Sequence, residues 1–147
     1  MEKTACSEPV LRSKAARYCA TAERCEQEVT EKLRAWGANE QEILHIVDYL
    51  TENDYLNNSR YCEAFVHDKV AYQGWGRQKI RYALRQKGLP DRHIETALRE
   101  IDERTYYNQL QRLISSRPTP KTEQDKQRLV RFLLQRGFVW EEIRTYC

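Results

Sequence analysis

Apolar residues along this chain fall three and four places apart, the spacing of one helix face, and they do so in the same order three times. Ile43, Ile46, Val47 and Leu50 make an i, i+3, i+4, i+7 stripe, and Ile94, Ala97, Leu98 and Ile101 repeat it position for position. Each stripe follows a glycine. Gly37, Gly88 and Gly137 stand 51 and then 49 residues apart. Four residues before them come Leu33, Leu84 and Leu133, and eight before come Val29, Ile80 and Leu129. Six after them come Ile43, Ile94 and Ile143, and ten after come Val47, Leu98 and Cys147. The pattern predicts helix, tight turn, helix, with the glycine in the left-handed position that closes a helix at no Cβ penalty. Asn39 with Glu42 has the form of a capping box, and Pro90 suits the first turn of the next helix.

A further helix precedes each pair. Leu11, Ala15, Tyr18, Cys19 and Ala22 mark the first, Tyr61, Phe65 and Val66 the second, and Tyr106, Leu110 and Leu113 the third. The expected fold is therefore all-α: three tandem three-helix repeats in an elongated array able to curve. The expected organisation is a tail over 1–9 and units over 10–56, 57–101 and 102–147, the last stopping about one turn short of its siblings. Non-helical stretches are expected at Asn53 to Asn58, Ala71 to Gly76 and Ser115 to Lys121.

Composition narrows the function classes. Apolar residues make up 40% and charged residues 32%, and no run approaches a membrane span. Met1 to Pro9 lacks the apolar stretch of a secretory signal, so a cytoplasmic protein is expected, with no membrane partner. Five cysteines, odd in number and without C-x-x-C spacing, read as free thiols. No phosphate-binding glycine loop occurs, and His45, His67 and His93 are scattered without accompanying metal ligands, so no enzyme activity, cofactor or metal is expected. The adjacent Glu141 and Glu142 read as helix-start acids.

Net charge is only +3, but it is unevenly placed. Residues 25–57 carry a balance of −6, residues 58–101 of +4 and residues 102–147 of +3. Between Asp68 and Asp91 there is no acid, while Lys69, Arg77, Lys79, Arg81, Arg85 and Lys87 all occur. Arg77, Arg81 and Arg85 fall at i, i+4, i+8, a stripe bordering the apolar face of Ile80 and Leu84. Tyr72 and Trp75 occupy the preceding loop. Guanidinium groups in a row suit phosphates or an acidic protein surface, and an exposed aromatic residue suits an anchor.

This segment resembles the signature of the RecX family. Leu56-Asn57-Asn58-Ser59-Arg60-Tyr61, Phe65-Val66, Lys69, Trp75-Gly76, Arg77, Ile80 and Leu84-Arg85-Gln86-Lys87-Gly88 match it in order, and the resemblance extends over all three units. Asn57-Asn58 stands where an acidic pair is common, and Ala83 where a glutamate often precedes the leucine. The resemblance implies a monomeric regulator that lies along the RecA filament on single-stranded DNA and inhibits the recombinase and its ATPase, damping recombination and the damage response. It implies weak, sequence-independent contact with single-stranded and also double-stranded DNA. Carried over residue by residue, it points to Arg60, Lys69, Arg77, Lys79, Arg81 and Arg85, with Trp75 as an anchor and Lys87 closing the basic run. A helix-turn-helix transcription factor or a protein-binding adaptor are the alternatives, though Asp91, Glu95 and Glu100 sit on what would be the recognition helix. Replacing Arg77, Arg81 and Arg85 together by glutamate is expected to leave the helices intact and abolish inhibition.

Overall fold

The computed structural model describes residues 7–146, and these form helices and turns without strands. In chain order the helices are α1 (Glu8–Thr21), α2 (Glu26–Ala35), α3 (Glu40–Glu52), α4 (Asn58–Ala71), α5 (Arg77–Gln86), α6 (Asp91–Arg99), α7 (Glu103–Ser115), α8 (Glu123–Gln135) and α9 (Trp140–Ile143). They group into three three-helix units, an all-α tandem repeat. Cys147, which the repeat places ten after the last glycine, lies outside the described residues, as does Cys6.

The three glycines do the same thing three times. Gly37, Gly88 and Gly137 take φ of +93°, +84° and +103°. In each turn the glycine N–H donates to the carbonyl three residues back, at Arg34, Arg85 and Leu134. The next N–H, of Ala38, Leu89 or Phe138, reaches the carbonyls of Leu33, Leu84 and Leu133 at 2.9, 3.2 and 3.1 Å. This is a Schellman closure, which satisfies carbonyls that the end of a helix leaves bare. The residue after the glycine is therefore a repeated position too, and Leu89 and Phe138 are buried there.

Side-chain caps start most of the longer helices. Asn39 accepts from the Glu42 N–H at 2.8 Å while Glu42 accepts from the Asn39 N–H at 2.9 Å, and Asn57, Asp102 and Thr122 cap α4, α7 and α8. Pro90 stands one residue before the helix, as the cap of α6 rather than in its first turn. Asn39→Ala removes the side-chain acceptor of the Glu42 N–H, leaving the backbone half of the box, and is expected to cost about 1 kcal/mol. A urea midpoint equal to wild type would show that the box contributes nothing.

The apolar faces build two cores, not three. Leu11, Ala15, Val29, Leu33, Ile43, Ile46 and Leu50 close the first unit on itself. The second core runs without a break from Cys62, Ile80, Leu84, Ile94 and Leu98 through Tyr106 and Leu110 to Leu133, Phe138 and Ile143. The second and third units are thus fused through shared side chains, with α7 packed on α4. The first unit contributes only Cys25 to that larger core.

Candidate functional site

Helix α5 and the loop before it carry the basic residues, and their neighbours decide what those residues do. Ile80 and Leu84 are fully buried and fix the rotation of α5. Arg77, Arg81 and Arg85 consequently line the edge facing the helices that follow. Arg77 donates to Glu103 at 2.7 Å and to Glu142 at 3.2 Å, with its guanidinium 4.1 Å from the Tyr106 ring. Arg81 makes a two-pronged pair with Glu95 at 2.6 and 2.9 Å, and this contact holds the Glu95 carboxyl below its usual range. Arg85 reaches Asp91 at 2.9 Å. The stretch is acid-free along the chain but not in space. The expectation that the triple glutamate variant keeps its fold is therefore corrected, because it would set three new carboxylates against four existing ones.

Arg77 belongs to a buried relay. The Tyr106 hydroxyl accepts from the Arg77 backbone N–H at 3.0 Å and donates to Glu142 at 3.2 Å. Burial pushes the Tyr106 phenol up, so it keeps the proton that it donates. Glu142 also accepts from the Val139 N–H at 3.0 Å, capping α9. The reading of Glu142 as a helix-start acid covers only that last bond. Beside the relay, the Gly76 N–H donates to the Arg136 carbonyl at 2.7 Å and the Gln78 N–H to the Gly137 carbonyl at 3.0 Å. A Cβ on Gly76 would run into the Gly137 backbone.

Arg60 and Lys87 join the first unit to the second. Arg60 donates to Glu23 at 2.6 Å and to Asp54 at 3.1 Å. Lys87 reaches Glu28 at 3.3 Å, and the Tyr61 hydroxyl donates to that same carboxylate at 3.1 Å. Burial alone would push the Glu28 carboxyl up, but the Cys25 N–H, Lys87 and Tyr61 together hold it below its usual range. Burial disfavours the thiolate at the cysteines nearby: it raises Cys19 and Cys25 and takes Cys62 to about 11, so all three stay protonated near neutrality.

Three of the expected residues form a cluster of another kind. Trp75 is half-buried, edge-on to Phe65, with the Lys69 ammonium 4.8 Å and the Lys79 ammonium 4.4 Å from its ring. Lys69 has Asp68 at 3.6 Å, whereas Lys79 has no ion-pair partner among the described residues. Tyr72, 75% exposed, stands beside His67 at the end of α4. Two ammonium groups over one indole are suited to a polyanion that also offers flat rings. No group of three or more His, Cys, Asp and Glu side chains is placed to hold a metal among the described residues, and no described helix is long and apolar enough to cross a membrane.

This arrangement has relatives. Sequence models of RecX match the chain three times: the first three-helix domain at 12–50, the second at 57–98 and the third at 102–147. A regulatory protein RecX of Cronobacter sakazakii is 32% identical over 148 residues, which cover 92% of this chain and 88% of that protein. The chain belongs to the RecX family. A regulatory protein RecX of Clostridium tetani is 27% identical over 137 residues, covering 89% of this chain and 62% of its own. The chain thus spans about three fifths of the length of that longer RecX. The crystal structure of RecX from Lactobacillus salivarius superposes with a TM-score of 0.78 at 23% identity, over 94% of this chain and 92% of that one. A second crystal structure, of a regulatory protein RecX, gives 0.82 at 19% identity, over 94% and 71%.

Within the RecX signature, the structure separates two groups of residues. Arg60, Tyr61, Gly76, Arg77 and Lys87 sit at the junctions between units, whereas the Lys69 and Lys79 ammonium groups lie over the half-buried Trp75 ring. The departure at Asn57 is conservative, since its side chain accepts from the Arg60 N–H at 2.9 Å and so supplies the cap of α4 itself. Sequence reasoning missed the contact of Gly76 with Gly137. The signal available was a glycine in each of two turns, 61 positions apart, with nothing to pair them.

Proposed function

We propose that this member of the RecX regulatory family binds the RecA filament on single-stranded DNA in the cytoplasm and inhibits RecA-driven ATP hydrolysis and strand exchange. The observation that carries the reading is the half-buried cluster of Lys69 and Lys79 over Trp75, with the exposed Tyr72 in the loop before that indole, on the middle unit of a RecX array. Arg60, Arg77 and Lys87 act in this reading mainly by holding the units in register, so that successive surfaces meet successive sites on a filament, while Arg81 and Arg85 tie α5 to α6 within the middle unit. Several modest contacts held in register give avidity that none has alone. The chain acts as a monomer, without a cofactor. Its own contact with single- or double-stranded DNA is weak and independent of sequence, because it rests on ammonium groups and an aromatic face rather than on base-edge recognition.

The test is RecA ATPase on single-stranded DNA at matched concentrations of wild type and a Lys69→Glu, Lys79→Glu double variant. Half-inhibition is expected to need roughly tenfold more of the variant, corresponding to about 1.4 kcal/mol. Its affinity for naked single strands should also lose about 1.4 units of log–log salt slope, near 0.7 for each phosphate contact removed. Both lysines are half-buried, so circular dichroism and a urea midpoint matching wild type are the folding control for the variant. Unchanged inhibition by the folded variant would remove the cluster from the mechanism. Wild-type protein that leaves its cognate RecA unaffected would sink the function itself.

A further inference from the structure

The third unit carries a groove that neither the RecX signature nor the proposed function uses. It lies between α8 and α9, encloses about 440 Å³, and is lined by Glu123, Lys126, Gln127, Val130, Arg131, Leu134 and Trp140. Its floor is apolar and open: Trp140 is 50% and Leu134 47% exposed, with Val130 half-buried between them. The core stripe of α8 runs through Leu129 and Leu133 with Val130 packed against it, so Val130 gives the groove only its outer side and Leu134 is surplus to the inner face. Exposing an indole and a leucine together is costly unless something covers them.

The rim says what kind of partner fits. Lys126 and Arg131 are both exposed, and neither has an acid within ion-pair distance among the described residues. On α5, by contrast, each arginine of the stripe is matched to a carboxylate. Two unmatched cations flanking an aliphatic floor call for a ligand with apolar side chains in the middle and carboxylates at its edges. A nucleic-acid strand fits less well, because Trp140 is the single flat ring among the lining residues, the rest of the floor is aliphatic, and Glu123 would face the phosphates.

We propose that this groove seats a protein segment of the filament bearing one or two aliphatic or aromatic anchors flanked by acidic residues. The anchors pack on Leu134 and Trp140, and the acids pair with Lys126 and Arg131. The inference rests on the filament reading above and adds the chemistry of one contact to it. It makes the molecule two-handed, with the middle unit's ammonium–indole cluster turned to the nucleic-acid strand and the third unit's groove holding the protein.

The experiment places a photo-crosslinking benzoylphenylalanine at Gln127, an exposed groove position, in the full chain. Purified RecA filaments on single-stranded DNA are then irradiated with it, and co-sedimentation is measured in parallel. The expected result is a crosslink to RecA protein that maps to a segment with acidic residues around an apolar centre. Lys126→Glu with Arg131→Glu should lower its yield at least tenfold with helical content unchanged, and Trp140→Ala should do so by several-fold. A crosslink to the DNA strand, to a second copy of this chain, or to a segment without acids would overturn the proposal. So would a yield insensitive to the charge reversal, or no crosslink from a protein that still co-sediments. Absence of wild-type co-sedimentation would instead overturn the filament reading, and the groove assignment with it.

Discussion

Arg77→Glu is expected to undock the third unit from the second and to be the most damaging single change on the arginine stripe. The Arg77 side chain is 22% exposed and lies against Glu142, itself 12% exposed, with Glu103 on its outer side. Removing one partner of a buried pair costs about 3 to 5 kcal/mol, because the remaining charge stays desolvated and unmatched. Here Glu103 is largely in water and Tyr106 still donates to Glu142, so Arg77→Ala is expected to cost roughly 2 to 4 kcal/mol. The glutamate variant should cost more, since it places a third carboxylate between two others. Arg81→Ala should cost less, and Arg85→Ala at most about 1 kcal/mol, because both members of the Arg85–Asp91 pair are more than half exposed. Urea unfolding of the three alanine variants measures the order. Equal, small losses at all three positions would refute the role of Arg77 as the junction residue.

This ordering separates two ways of losing activity. On the proposed function, an Arg77 variant would lose inhibition because its third unit is misplaced, and its unfolding curve would show it. The Lys69 and Lys79 variant would inhibit about tenfold more weakly while folded. Activity assays alone cannot distinguish the two, so each needs its stability measured beside it.

The repeat was legible in the sequence because a Schellman turn leaves a local record. The glycine, the leucine four before it and the isoleucine six after it all lie within ten residues of one another, and helix geometry maps that spacing onto contact. The partners of the arginine stripe left no such record. Asp91, Glu95, Glu103 and Glu142 lie 6, 14, 26 and 65 residues from the arginines they meet. An acid-free run therefore looks like a bare cationic face until the later helices fold back onto it. The fusion of the second and third cores was hidden for the same reason, because Tyr106 reads as one more apolar position of α7. The groove was hidden differently. The repeat marks Leu129 and Leu133 as the inward stripe, but nothing in the spacing says that Leu134 and Trp140, on different helices, stay exposed side by side in one groove.

Gly137→Ala and Gly88→Ala make a matched pair for which the three-fold repeat predicts equal effects and the structure predicts unequal ones. Both glycines occupy the same place in the same turn, with φ of +103° and +84°. An L-residue held there costs about 1 to 2 kcal/mol. At Gly88 nothing lies within 4 Å of the added methyl, so that strain is the whole cost. At Gly137 the methyl would stand 2.5 Å from the Lys79 Cβ and 2.7 Å from the Lys79 backbone nitrogen. Backbone cannot swing aside as a side chain does. Relief requires the turn to move off α5, which breaks the bonds from Gly76 to the Arg136 carbonyl and from Gln78 to the Gly137 carbonyl. Overpacking of this kind adds about 1 to 3 kcal/mol, for a total near 2 to 5 kcal/mol. Gly137→Ala should therefore lower the urea midpoint well below that of Gly88→Ala. It should also speed proteolysis within 116–122, as the third unit loosens from the second. Equal midpoints for the two variants would mean that the glycine contact does not hold the units together.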